Sequence, residues 1–167
     1  LAITLSLAAM LFYIWIRFEW QFSLAAISAL IHDVIITIGI FSFLSYEINL
    51  SIVAAVLTIV GYSMNDTVVI FDRIRENLRK YSKVSIADIS NISTNETLSR
   101  TLITSVTTLL ALLSIYIFGG AILKGFSFAM IIGVIVGTYS SIFVATPILN
   151  YTKVSQKNIL KENNEEN

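Results

Sequence analysis

Residues 50–71 read LSIVAAVLTIVGYSMNDTVVIF, an apolar stretch in which Asp66 is the one charged position. As a helix it would rise roughly 33 Å, enough to cross the hydrocarbon core of a bilayer. An ionised carboxylate within such a helix costs about 2.5 to 3.5 kcal/mol on insertion scales. Asp66 must therefore face protein or water, and it needs a partner, a proton or both.

The remainder of the chain has the same character. Of its 167 residues 56% are hydrophobic and 13% charged, about half the roughly 25% charge of a soluble domain, and the mean hydropathy is +0.80. Basic and acidic residues balance at 11 each, and no basic stripe or aromatic-basic module points to nucleic acid. The absence of cysteine excludes disulfides and thiolate metal sites, and the single histidine, His32, cannot build a zinc site alone. No phosphate-binding glycine loop and no nucleophile elbow occurs, so the sequence predicts neither an enzyme nor a cofactor.

Five apolar segments, at about 1–16, 22–44, 48–71, 101–118 and 125–150, predict an all-α polytopic membrane bundle over residues 1–151. Buried helices of a soluble protein are the alternative, and there are too few charges to wrap them. The chain opens at Leu1 inside an apolar run, without the charged front and cleavage site of a signal peptide, so its start reads as a truncation.

The connection at 72–100 carries Arg73, Arg75, Arg79, Lys80, Lys83 and Arg100; Arg17 lies at the turn near 17–21, and Lys153, Lys157 and Lys161 lie in the tail at 152–167. The opposite connections hold only Lys124. The positive-inside rule makes the basic side cytoplasmic, with the C-terminus inward. Over residues 71–81, Phe71, Ile74, Leu78 and Tyr81 keep helical spacing, which predicts either an extension of the third span or an interfacial helix. Ser85 with Asp88 and Ser93 with Glu96 have capping-box spacing and predict a short second helix leading to Arg100. The tail, rich in Asn and Glu, reads as solvated. Pro147 predicts a kink or an early end to the last span, and Gly133 with Gly137 forms a GxxxG, followed a turn later by Ser140 and Ser141, that permits close helix contact.

His32 and Asp33 interrupt the second span about 15 Å from its cytoplasmic end, and Asp66 lies about 8 Å from its own. Arg100 opens the fourth span on that side, with Thr101, Thr104, Ser105, Thr107 and Thr108 following. Two carboxylates, an imidazole, a guanidinium and several hydroxyls are thus expected in one polar core. Arginine is the natural counter-ion for a buried carboxylate because its planar fork stays charged. Asp66 and Arg100 form either a static structural bridge or a working proton site. His32 and Asp33 are accessory candidates for proton movement, and Asn65 is a candidate hydrogen-bond positioner.

The segment GYSMNDTVVIFDRIREN at 61–77 resembles the signature of the SecF family, the partners of SecD in bacterial protein export. The resemblance extends to RFEW at 17–20, ALIHDVIIT at 29–37, RTLITS at 100–105 and FGG at 118–120. It implies an RND-superfamily half-transporter, of which this chain supplies spans two to six, without the family's first span and extracytoplasmic domain. It further implies a multi-pass protein of the bacterial inner membrane that works with SecD, the SecYEG channel and SecA. Proton entry would then help draw a translocating preprotein outward, the preprotein being touched by domains outside this chain. In that family the positions matching Asp66, Arg100 and Thr104 are associated with proton transfer. A lipid or small-molecule exporter of the same superfamily and a non-transporting scaffold subunit remain the alternatives.

Overall fold

The computed structural model describes residues 2–46, 49–81 and 84–152. The tail from 153 onward, with its three lysines, and Lys83 lie outside the described residues. Helices α1 (Ala2–Arg17), α2 (Trp20–Phe43), α3 (Leu50–Lys80), α4 (Ile86–Phe118) and α5 (Gly120–Ser140) follow one another. A π-helical turn (Ser141–Ala145) then continues α5 into the short α6 (Thr146–Tyr151). Four of these rods are long and apolar enough to cross a membrane: α2, α3, α4 and the continuous run Gly120–Tyr151. The molecule is an all-α polytopic membrane bundle.

Local chemistry sets the ends of the helices. Asn49 caps α3 by accepting from the Ile52 backbone N–H at 3.1 Å, and Arg79 and Lys80 complement the dipole in its last turn. Ser85 caps α4: its Oγ accepts from the Asp88 N–H at 3.2 Å and donates to Asp88 Oδ2 at 2.7 Å. Between α4 and α5, Gly120 takes φ +73°, a left-handed conformation open to glycine. A side chain on neighbouring Gly119 would run into the Ile115 carbonyl.

The connection expected at 72–100 is helical over most of its length. α3 runs unbroken to Lys80 as an extension of its span, and α4 begins at Ile86, which leaves residues 81–85 between the two helices. Ser93 is therefore no cap. It lies inside α4, where its Oγ accepts from Asn77 Nδ2 at 2.9 Å and ties the extension of α3 to α4.

α3 and α5 form the central pair, with α2 and α4 packed on either side. The pairing is close because α5 offers glycine: a Cβ at Gly133 would overlap the Ile59 side chain, and one at Gly137 would come within 3.0 Å of Ser63 Cβ. The last span departs from α-helical geometry just before Pro147, which has no N–H to give the Phe143 carbonyl. The π turn absorbs the irregularity, and Thr146 Oγ1 satisfies the Ser141 carbonyl at 3.0 Å.

Two apolar cores result. One gathers Ile14, Phe18, Phe22, Phe71, Ile74, Ile89 and Leu149 toward the charged end of the bundle. The other gathers Phe41, Ile52, Ile59, Leu112, Met130 and Val134 toward the opposite end. The charged end is pinned by Arg17 to Asp72 at 2.8 Å, Arg75 to Glu19 at 2.9 Å and Arg73 to Glu96 at 2.6 Å. The opposite end is closed by rings, with Phe128 packed on Phe41, Tyr46 and Tyr116.

Candidate functional site

Between the two apolar cores α2, α3, α5 and the π turn contribute a layer of buried polar side chains: Asp33, Thr37, Ser63, Asp66, Thr67, Ser140 and Ser141. On α3, positions 63, 66, 67 and 70 share one face by the helical period, which explains how Asp66 faces inward between Ser63 and Ile70. Asp66 is 4% exposed, and its Oδ2 is buried without a hydrogen-bond partner.

Arg100 lies on α4 with an exposed side chain. Among the described residues no ion pair joins it to Asp66. Thr104, half-buried, donates to the Arg100 and Thr101 carbonyls at 3.0 Å each and so stays on its own helix. Thr101 Oγ1 is buried nearby in sequence without a partner. Further along α4, Ser105 and Thr138 bond across to α5 at 2.7 Å.

Asp33 is the better-satisfied carboxylate. It is 0% exposed; its Oδ2 accepts from Ser63 Oγ at 2.5 Å and Ser140 Oγ at 2.8 Å. Its Oδ1 lies 3.1 Å from His32 Nδ1. A second hydroxyl pair, Thr67 Oγ1 and Ser141 Oγ, meets at 2.9 Å beside it. The polar core expected from sequence is thus two groupings against α3: Asp33 of α2 with its hydroxyls, and Asp66 of α3 itself, apart from Arg100. Asn65 belongs to neither, since its side chain points out of the bundle.

The serines were the part of the site that the sequence did not single out as partners. Ser63 carries no motif of its own, and Ser140 and Ser141 were legible only as small residues beside the GxxxG. Their signal was the period: 133, 137 and 140 fall on one face of α5, so the residues that follow the glycines inward meet α3 and α2.

Fold and site together define a multi-pass membrane protein with ionisable groups held in its interior. The chain belongs to the SecD/SecF C-terminal family: residues 1–155 match the family described as "Protein export membrane protein SecD/SecF, C-terminal". It is 52% identical over 156 residues to the protein translocase subunit SecF of Cereibacter sphaeroides, covering 93% of this chain and 48% of that one. To the SecF of Rickettsia bellii it is 57% identical over 149 residues, covering 89% and 49%. The chain therefore spans about half the length of these curated relatives. The crystal structure of SecDF, a translocon-associated membrane protein from Thermus thermophilus, superposes with a TM-score of 0.85 at 46% identity, covering 88% of this chain and 20% of that one.

Proposed function

We propose that this chain is the membrane-embedded half of a proton-driven subunit that assists protein export across the bacterial inner membrane. Asp66 is the proton carrier, Arg100 its switchable counter-ion and Thr104 a polar neighbour on the Arg100 helix. The observation that carries this reading is the buried, unpartnered Oδ2 of Asp66, to which no ion pair reaches among the described residues. A static structural bridge would be closed. An intramembrane carboxylate left open is suited to taking up and releasing a proton.

In this mechanism Asp66 alternates between a closed bridge to Arg100 and a protonated state in which the bridge parts. A helix shift that changes their separation changes the proton affinity of Asp66, so proton binding and helix movement drive each other. Each proton moving inward is driven by about 2.3 kcal/mol per 100 mV of membrane potential, together with the pH gradient. That is enough to bias a two-state bundle. The basic end, with its arginines on α3, faces the cytoplasm and the C-terminus lies there.

The solved relatives are titled SecDF, which supports a SecD-like partner forming the second half of an RND-type assembly of six spans and six. SecYEG and SecA would begin the translocation that this assembly completes, and domains outside this chain would touch the preprotein. The deciding experiment is Asp66→Asn in the full-length complex, reconstituted with a pH-sensitive dye inside the vesicles. Assembly should persist while proton flux and proton-dependent export stop. Export at the wild-type rate would instead establish a scaffold role.

A further inference from the structure

Asp33 joins three helices through one carboxylate. Oδ2 takes hydroxyls from Ser63 on α3 and Ser140 on α5, and Oδ1 faces His32 on α2. Among the described residues its one ion-pair partner is His32; no arginine or lysine reaches it. The groups around it are His32 and, one turn on, Thr37 from α2; Ser63, Thr67 and beyond them Asp66 from α3; and only the hydroxyls of Ser140 and Ser141 from α5 and the π turn. A carboxylate so enclosed, without a fixed cation, is tolerated in a bilayer only with a proton at hand. The His32 side chain is 30% exposed at the surface of the bundle.

We propose that Asp33 is a positioning residue for Asp66: its carboxylate shares a single proton with His32, latches α3 to α2 and α5, and thereby sets how tightly Asp66 holds its proton. The inference rests on the reading of Asp66 as the proton carrier. With the proton on His32 Nδ1, Asp33 is an anion and its bonds from Ser63 and Ser140 are charge-assisted, roughly twice as strong as neutral ones. When the proton crosses to Asp33 Oδ1, the N–H bond breaks as the O–H bond forms. The imidazole becomes neutral, and Oδ2 accepts the same hydroxyls more weakly. The charge of the pair as a whole does not change.

The latch acts on Asp66 through α3. Ser63 precedes Asp66 by three residues, about 4.5 Å of rise, and Thr67 follows it directly. Ser63 is held by Asp33, and Thr67 by Ser141, the neighbour of Ser140. α3 is thus fastened on both sides of Asp66, and a slip that carries Asp66 toward or away from Arg100 must loosen both fastenings.

The test uses the full-length subunit with its partner in proteoliposomes and infrared difference spectroscopy of the carboxyl C=O stretch, the Asp66 band being assigned by its loss in Asp66→Asn. Asp33→Asn and His32→Gln should each shift the proton concentration at the midpoint of that band by at least about fivefold, the lower end for coupled sites. Asp33→Glu should restore part of the wild-type position. An unmoved midpoint in an assembled Asp33→Asn complex overturns the latch. If that variant does not assemble, Ser140→Ala removes one fastening and leaves the charge; a shifted midpoint then supports the latch and an unmoved one overturns it. A spectrum in which Asp66→Asn removes no band at any pH overturns the proton-carrier reading, and this inference with it, an outcome distinct from an Asp66 band that titrates and does not move.

Discussion

Gly133 on α5 and Ile59 on α3 touch so closely that a single methyl group on the glycine would occupy the space of the isoleucine side chain. The two central helices are therefore spaced by this contact, and the polar layer one turn beyond it inherits that spacing.

Gly133→Ala should lower the unfolding free energy in detergent by about 1 to 3 kcal/mol, the usual cost of overpacking. Adding Ile59→Ala should return much of the loss, because the clash is with this one side chain. Thermal unfolding of the single and double variants measures the coupling; additive effects would show that the pair does not set the helix spacing.

Arg100→Lys should lower proton-dependent export well below wild type while the complex still assembles. The charge is retained, but a point ammonium on a flexible stem does not close onto a carboxylate as a planar fork does. Export at the wild-type level in vesicles would exclude bidentate closure on Asp66.

Glu96 lies on the polar stretch of α4 before its apolar part, where hydrogen bonds from Arg73 and Asn77 hold its carboxyl below the ordinary glutamate range. Since the folded form holds its proton less tightly than the unfolded chain, this contact stabilises fully above the unfolded glutamate value of about 4.3. It is lost as the pH falls through the lower folded value. Protection from hydrogen exchange relative to the intrinsic rate at each pH, read over residues 73–81 and 84–97, should therefore stay high at neutral pH and fall only in acid. Glu96→Gln should lower that protection at neutral pH, and added salt should weaken the wild-type contact.

Arg75→Ala should destabilise the complex by about 2 kcal/mol, as expected for losing hydrogen bonds to a charged group, because Glu19, only 8% exposed in its side chain, is left behind. Glu19→Gln in the same background should restore part of the loss. Unfolding by denaturant in detergent distinguishes these outcomes from a surface pair of no consequence.

The apolar runs made the membrane helices legible, and Asp66 stood out because nothing else in its span is charged. Ser85 with Asp88 was readable as a helix start because a cap is local chemistry. Ser93 with Glu96 has the same spacing, yet tertiary contact with Asn77 and Arg73 keeps both inside a continuous α4. The expected meeting of Asp66 with Arg100 follows from their shared depth, but depth does not fix the rotation of α4, and the guanidinium is exposed. Asn65 adjoins Asp66 in sequence and turns outward, since neighbours on a helix face directions about 100° apart. The hydroxyls around Asp33 come from residues separated by as many as 107 positions, and the π turn that aligns Ser141 with Thr67 has no periodic signature of its own.

The bundle is fastened differently at its two ends. Guanidinium forks grip carboxylates across helices on one side, whereas stacked and tilted rings meet on the other. Rings can glide over one another while keeping most of their contact, and a fork that leaves its carboxylate loses the bond. The arginine end therefore resists separation through bonds that are lost once broken, and the aromatic end through contact that survives a shift of the rings.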